Sequence, residues 1–311
     1  MQAAVRPKQS KMHRKWLGIK QHWPLYLLLI LPIVYIIIFN YVPMYGLQIA
    51  FKDYIVKKGY WGSPWVGFKH FETFIKSPLF PRLIGNTIGI SLYSIVAGFF
   101  PPIFLAIGIN ECRIRFFKKS VQMITYMPHF LSTVVVVGIL TQALSSSGFV
   151  NAIIGLFGHE PILFMGEASM FKSIYVWNGI WQNVGYNAIM YIACLAGISP
   201  ELQEAAVVDG ANIWQRIWNV DIPGIMPTAI IMLILSTAGV LNVGFEKVYL
   251  MQNPLNMQAS DIIATYNYRV GLVDMNYSFA TAVGFFQSLI SCVFMCVVNF
   301  IAGKVSEISL W

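Results

Sequence analysis

The side chains best suited to chemistry in this sequence are polar groups inside a long apolar segment, residues 174–198, which contains no Asp, Glu, Lys or Arg. Amide and phenol groups exchange hydrogen bonds with hydroxyls, and aromatic rings pack against apolar faces. This composition predicts a site for a hydroxyl-rich solute such as a neutral oligosaccharide. The alternative is hydrogen bonding between helices, worth about 0.6 kcal/mol on average, which would only stabilise the fold. The four candidates, spaced to share one helical face, are Gln182, Asn183, Tyr186 and Asn187.

A polar segment, residues 199–223, follows directly and carries clear helix signals. Ser199 is a good N-cap, and Pro200 suits the first helical position. Gly210 is free to adopt a positive φ and predicts a turn. A second short amphipathic helix is then expected to extend to Pro223 and to end there, because proline does not continue a helix. The segment is therefore predicted to form a helix, a turn and a helix.

Two small residues in the first of these helices, Ala205 and Ala206, would let another protein approach the backbone closely. The alternative is a hairpin that merely lies on the membrane surface. The residue types alone leave both interpretations open.

The sequence contains no motif that supports a catalytic function for this protein. The sequence has no glycine-rich loop ending in Gly-Lys-Ser/Thr and no His-Glu-x-x-His pattern, so neither ATP binding by that route nor a zinc enzyme is predicted. His129 follows a proline and has no acid within the apolar segments to pair with, so a structural role is favoured over a proton relay. Cys292 and Cys296 share a helix face, but buried cysteine usually behaves as a small hydrophobe, and no metal site is predicted.

The composition indicates which elements must position these groups. Hydrophobic residues make up 57% of the 311 residues and charged residues 11%, against roughly 45 to 50% and about 25% in a soluble domain. Six uncharged segments reach the length of about 20 residues that a bilayer requires. The sequence therefore predicts an all-α, polytopic membrane protein with six transmembrane helices. The segments are residues 23–42, 84–109, 121–144, 174–198, 224–244 and 280–303.

The basic residues act as topology signals rather than as a nucleic-acid surface, although the net charge is +8. Six spans put both termini on one side, and the basic tail, residues 1–22, predicts that this side is the cytoplasm. With this orientation 12 of the 21 Lys and Arg residues are cytoplasmic, as is the segment 199–223. Residues 23–311 are expected to form one permease domain. The basic outer loops would also suit an acidic oligomer, although loop composition does not decide the substrate.

The first outer loop, residues 43–83, contains aromatic residues at four- and three-residue spacing, namely Trp61, Trp65, Phe68, Phe71 and Phe74. This spacing predicts a short helix in the membrane interface. The helix would serve as an anchor or, alternatively, as a docking surface for an external partner.

The segment 199–223 also matches a known pattern, with an acid and a small pair, then an acidic turn with glycine, then a terminal proline, in register over twenty residues. It resembles the EAA loop of permease subunits of binding-protein-dependent ABC importers. The departures are Ile222, where leucine is usual, and Asp221, where an uncharged residue is commoner. The resemblance implies a coupling helix that sits in a cleft of the ATPase subunit. The residues carried over to that role are Glu204, Ala205, Ala206, Asp209, Gly210, Ala211 and Pro223.

The likeness extends over most of the chain. The matching motifs are Tyr41-Val42-Pro43-Met44-Tyr45-Gly46, Ala50-Phe51-Lys52-Asp53-Tyr54, Trp65-Val66-Gly67-Phe68, Asn86-Thr87, Asn110-Glu111, Met127-Pro128-His129-Phe130 and Gly244-Phe245-Glu246-Lys247. They resemble the MalF-like, LplB-type oligosaccharide permeases. The chain lacks the large extracytoplasmic insertion of the maltose permease and has fewer spans, so maltose is not favoured as the substrate.

This resemblance implies a type I ABC importer permease fold in a bacterial cytoplasmic membrane. It implies four kinds of partner: a second, similar permease, two ATPase subunits that hold ATP and Mg, an external solute-binding protein and an oligosaccharide. No cofactor on this chain is implied. The resemblance also makes Ser236 and Asn242 candidate sugar-facing residues in the fifth span. Asn86 and Gln287 are weaker pathway candidates, chosen because polar residues are rare within spans.

Two alternatives remain. The coupling loop is shared by importers of many solutes, so another polar solute is the nearest alternative. An ion-coupled secondary transporter would belong to a different class, but such proteins usually carry ionisable residues within the membrane, and the six predicted spans contain no Asp, Glu, Lys or Arg.

Overall fold

The computed structural model describes residues 22–241 and 243–306. These residues form helices and connecting turns, with a single isolated bridge between Lys52 and Trp65 and no longer strand in the described ranges. The main helices are α1 (Trp23–Ile36), α2 (Phe80–Glu111), α3 (Arg115–Tyr126), α4 (Thr133–Ala143), α5 (Ala168–Ala196), α6 (Pro200–Val208), α7 (Ile222–Ala238), α8 (Phe245–Met251) and α9 (Tyr277–Ser306). The predicted all-α class is confirmed. The basic tail, except His22, lies outside the described residues.

Shorter helical segments connect the main ones. The α-helical segments are Val42–Met44, Gly59–Gly62, Lys69–Ile75, Phe149–Leu156, Ile213–Arg216, Met257–Ser260 and Ile263–Tyr268. The π-helical turns are Ile37–Tyr41, Ile217–Asp221 and Arg269–Val273, and the 3-10 turns are Tyr45–Phe51, Val56–Lys58 and Met127–Phe130.

Four helical stretches in the described ranges are long and apolar enough to cross a membrane, namely Trp23–Phe51, Phe80–Glu111, Ile213–Thr237 and Tyr277–Ile301. The bent pair Arg115–Phe130 and Thr133–Ala143 provides a fifth if it counts as one span. Helix α5 has 29 residues, enough to cross, but its amides and aromatic rings make it less apolar. The polytopic class is confirmed, and the number of six spans stays a prediction.

The predicted third span, residues 121–144, is wrong as a single straight helix. The chain bends by 103° between α3 and α4. Pro128 lies in the 3-10 turn at the bend, where its missing amide hydrogen and its ring interrupt the α-helical ladder. Ser132 then caps α4, because its Oγ accepts a hydrogen bond from the Val135 amide at 3.3 Å. A new helix therefore begins where the old one stops.

The predicted fifth span, residues 224–244, also differs at its end. Helix α7 stops at Ala238, and the chain turns from Gly239 toward α8. Asn242 lies outside the described residues. The segment after α7 is therefore a connection and not the last turn of a span.

One cluster of the core lies where α2, α5 and α7 meet. Small, branched and aromatic side chains from all three helices are buried together there: Ala106, Ile107, Ala188, Tyr191, Leu195, Ile225 and Ala229. The alanines let the helix backbones approach closely, which favours van der Waals packing within a membrane. Helix α1, in contrast, has no buried residue.

The aromatic segment within residues 43–83 forms a shorter helix than the spacing predicted, Lys69–Ile75. Phe74 is buried against Leu83, Phe279 and Val283 and belongs to the core rather than to a membrane interface. Trp65 precedes the helix and remains exposed.

Helix α5 also packs tightly on α3, at Gly185. A Cβ atom added there would lie 2.2 Å from the carbonyl oxygen of Thr125, far inside contact distance. We expect Gly185→Ala to lower the free energy of unfolding by about 1 to 3 kcal/mol, because a backbone atom cannot move aside as a side chain would. Thermal unfolding of the purified protein in detergent measures this effect. Gly108→Ala on α2 is the matched control, since a Cβ there meets nothing within 4 Å, and equal stability of the two variants would contradict the close approach.

Candidate functional site

The polar residues of α5 face a cleft of about 300 Å³ between α5 and α2. Gln182, Asn183 and Asn187 line this cleft together with Ser94 of α2. Asn183 Nδ2 donates to the Gly179 carbonyl oxygen at 2.9 Å, so part of its hydrogen-bonding capacity is used within the helix. We call this space the amide cleft. Three of the four predicted side chains are thus brought together.

A second cleft, of about 380 Å³, continues along the same helices and is bounded by α7. Asn187 lines both clefts, and Ser236 of α7 lines the second one. Ser236 Oγ donates to the Leu233 carbonyl oxygen at 2.7 Å, which leaves its oxygen lone pairs as acceptors. The structure thus places Ser236 beside the predicted residues of α5.

Tyr186 lies apart from the other three and lines neither cleft. Its ring stacks on His129 with centroids 3.8 Å apart and planes inclined by 6°. His129 Nδ1 is 2.9 Å from Asn183 Oδ1. His129 therefore connects the bend between α3 and α4 to the polar row of α5, and its partners there are a ring and an amide rather than an acid.

Lys247 is a cleft residue that sequence reasoning did not single out as functional. It lies on α8, lines the amide cleft, and its Nζ donates to the Tyr175 carbonyl oxygen at 3.1 Å. Burial lowers the pKa of Lys247 to about 8, because removing an ammonium group from water disfavours its charged form. A lone lysine directly after an apolar segment was the available signal, but its partner Tyr175 is 72 residues away in sequence.

The two weaker pathway candidates, Asn86 and Gln287, donate hydrogen bonds to backbone carbonyl oxygens of other segments. Asn86 is buried, and its Nδ2 donates to the carbonyl oxygens of Gln258 at 2.9 Å and Asp261 at 3.1 Å. Gln287 Nε2 donates to the Leu241 carbonyl oxygen at 2.6 Å. Both contacts join helices to connecting segments.

The segment 199–223 begins as predicted. Ser199 Oγ accepts a hydrogen bond from the Glu201 amide at 3.3 Å, and Pro200 is the first residue of α6. Gly210 has a φ of 77° and makes the turn. The apolar side chains around the turn are exposed, with Val208 at 86% and Trp214 at 78%. This exposed apolar end can dock a partner.

Pro223 does not end the second helix, so that prediction is wrong. The chain stays helical from Ile213 through Thr237. A π-helical turn, Ile217–Asp221, precedes the proline, and the Ile222 amide donates to the Ile217 carbonyl oxygen. The wider turn accommodates the proline ring, which then occupies the first turn of α7. The second helix of the segment 199–223, which we call the coupling segment, is thus continuous with the fifth predicted span.

A polar network fastens this segment to the end of α2. Arg216 donates to Glu111 Oε2 at 2.9 Å, and both side chains are mostly buried, at 16% and 22% exposure. Gln203 Nε2 donates to Asp221 Oδ1 at 2.7 Å, and Arg216 also reaches Gln203 Oε1 at 3.5 Å. We call these four residues the coupling network. It connects α6, the π-helical turn and the end of α2.

An all-α, polytopic bundle with polar clefts between its spans and an exposed coupling segment defines a membrane permease. Residues 98–307 match the family described as "Binding-protein-dependent transport system inner membrane component". This match covers more than half of the chain. The chain belongs to that family, and it is therefore a transport subunit rather than an enzyme.

Two relatives from Bacillus subtilis strain 168 are similar over almost the whole chain. Protein LplB is 40% identical over 288 residues, which cover 92% of this chain and 91% of LplB. The polygalacturonan/rhamnogalacturonan transport system permease protein YteP is 37% identical over 305 residues, which cover 98% and 95% of the two chains.

A solved structure supports the fold. A chain in the crystal structure of a bacterial alginate ABC transporter, in complex with alginate pentasaccharide-bound periplasmic protein, is 38% identical. It superposes with a TM-score of 0.88 over 96% of this chain and 100% of that chain. The arrangement of helices described above is therefore that of an ABC importer permease.

Proposed function

We propose that the chain is the permease subunit of an ATP-driven ABC importer that moves oligosaccharides delivered by an extracytoplasmic binding protein. A second, homologous permease completes the pathway. Two separate ATPase subunits hold ATP and Mg, and this chain binds no cofactor. The proposal is supported by family membership and by the similarity to a polygalacturonan/rhamnogalacturonan permease and to an alginate transporter.

The observation that carries the substrate proposal is the polar row of α5 at the two clefts. Asn183 and Asn187 present amides, and Ser236 presents a hydroxyl, beside apolar walls. Such a surface matches a sugar, which offers both hydroxyl groups and apolar ring faces. Asn242, which the structure does not describe, remains a candidate on sequence grounds.

The orientation proposed for the chain puts both termini and the segment 199–223 in the cytoplasm, with residues 23–311 as the permease domain. The resemblance to the EAA loop and the exposed apolar side chains of the turn support this orientation. Docking to the ATPase subunit would then involve Glu204, Ala205, Ala206, Asp209, Gly210, Ala211 and Pro223. Of these, Ala206 and Ala211 are partly exposed and the other five are exposed.

Asn183→Ala is expected to lower oligosaccharide uptake by about 2- to 10-fold, the effect of losing one hydrogen bond. Tyr186→Ala is expected to act indirectly and to a similar extent, because the Tyr186 ring stacks on His129, which contacts Asn183 at the amide cleft. Uptake into proteoliposomes that contain the complete importer measures this effect, and co-purification of the partner subunits checks assembly. Ser291→Ala on α9 is the control, because Ser291 is a polar residue within a span that lines neither cleft. Normal uptake by both variants would refute the proposed site. Uptake of a different polar solute only would favour the alternative substrate.

A further inference from the structure

Lys247 is an unusual cation in this molecule because its surroundings are polar but uncharged. Its Nζ lies 3.1 Å from the Tyr175 carbonyl oxygen and 4.7 Å from the centroid of the Tyr175 ring. A Cβ atom at Gly179 would lie 3.3 Å from the same nitrogen. Within residues 22–241 and 243–306, no carboxylate is within ion-pair distance of Lys247. The ammonium group therefore lacks a counter-ion.

Three other shielded cations within the described ranges have compensating partners. Arg216 pairs with Glu111 and Arg269 pairs with Asp261, at 2.9 and 2.8 Å. Lys52 is 2% exposed, donates to the Tyr60 carbonyl oxygen at 2.5 Å and lies 4.6 Å from the centroid of the Trp65 ring. Lys52 lines none of the clefts described here, so its ammonium group does not face a ligand in them. Lys247 differs because its side chain borders the open amide cleft.

The chemistry of the amide cleft limits what a ligand there can be. An ammonium group has three hydrogens to donate, and Lys247 uses one of them on the Tyr175 carbonyl oxygen. Its pKa of about 8 keeps it mostly charged at neutral pH. Burying a cation without a counter-ion costs free energy, and a bound anion offsets that cost. Hydrogen bonds between charged groups are also stronger than those between neutral groups. The amides and Ser94 then supply partners for hydroxyl groups.

We propose that Lys247 and the amide cleft bind a carboxylate of an acidic oligosaccharide, so that this chain selects a uronate-containing substrate. The inference rests on the proposed function and narrows it from oligosaccharides in general to acidic ones. Neutral oligosaccharides would leave the ammonium group without a counter-ion and would be transported less well. Lys247 is thus a specificity-determining residue.

The test uses the complete importer in proteoliposomes made without anionic lipid, so that a lipid phosphate cannot serve as the ligand. The probes are a labelled oligogalacturonate and its fully methyl-esterified form, which has the same length and no charge. Lys247→Gln is expected to lower uptake of the acidic oligomer at least about ten-fold, the effect of one charge-assisted hydrogen bond. Lys247→Arg keeps the charge and is expected to retain uptake well above that of Lys247→Gln.

Lys172→Gln is the matched control, since it removes a lysine from α5 that does not line the amide cleft. Co-purification of the partner subunits shows that each variant assembles. Equal uptake of the acidic oligomer by wild type and Lys247→Gln would overturn the inference while leaving the proposed function intact. Wild-type uptake of the neutral oligomer alone would also overturn it. If the wild-type importer takes up neither oligosaccharide, the proposed function itself fails, and the inference fails with it.

Discussion

Gly210→Arg is expected to remove the ATPase subunits from the purified importer, with a loss of affinity of about 30-fold or more. Gly210 has a φ of 77°, a conformation that costs an L-residue roughly 1 to 2 kcal/mol. The exposed turn also lies at the centre of the proposed docking surface, where disrupting one hot-spot residue costs about 2 kcal/mol or more. Co-purification from native membranes in mild detergent, followed by mass spectrometry, measures the loss.

Gly158→Arg provides a control with the same backbone strain. Gly158 has a φ of 80°, and, like Gly210, a Cβ there would meet nothing within 4 Å. It lies in the connection that follows Phe149–Leu156, far in sequence from the coupling segment. Retention of the ATPase by Gly158→Arg and its loss from Gly210→Arg would confirm docking at the turn. Retention by both variants would refute the docking proposal.

Glu111→Ala and Arg216→Ala are each expected to lower transport by about 10- to 150-fold, since hydrogen bonds between charged groups contribute about 1.5 to 3 kcal/mol and the remaining partner is left shielded without a counter-ion. The ATPase subunits should stay bound, because neither residue is part of the exposed turn. These are positioning residues that hold the coupling segment to α2. Substrate transported per ATP hydrolysed is the quantity to measure.

The double variant Glu111→Ala with Arg216→Ala decides whether the two residues act as a pair. If they do, it should transport no worse than either single variant, because the contact is already lost. Additive losses would show that the residues act separately. Glu72→Ala is the control for an ordinary surface pair, since Glu72 and Lys76 are 62% and 74% exposed and such pairs contribute little.

Local signals predicted the start of the coupling segment. Ser199 caps α6, Pro200 begins it and Gly210 takes a positive φ, because these effects depend on a residue and its near neighbours. The amide row of α5 was also predicted, since helical spacing brings residues three and four apart together. Tyr186 does not join this row at the cleft, because its ring stacks on His129, which is 57 positions earlier in the sequence.

The features that sequence reasoning missed depend on contacts between residues distant in sequence or on a local departure of the backbone from regular α-helical geometry. Glu111 meets Arg216, and Lys247 meets Tyr175, through packing of helices that no local spacing reveals. Pro223 was expected to end a helix, but the π-helical turn before it is wide enough for the helix to continue past the proline. Proline disrupts a regular α-helix, and its effect changes when the preceding turn is not regular.

The coupling network has a consequence for how the protein is made. Glu111 leaves the ribosome 105 residues before Arg216, which at about 5 to 20 residues per second is an interval of roughly 5 to 20 s. Throughout that time the carboxylate at the end of α2 must remain hydrated at the membrane surface. A chain whose synthesis stops within the interval lacks the arginine that fastens the coupling segment. The ion pair between α2 and the coupling segment therefore forms only late in translation.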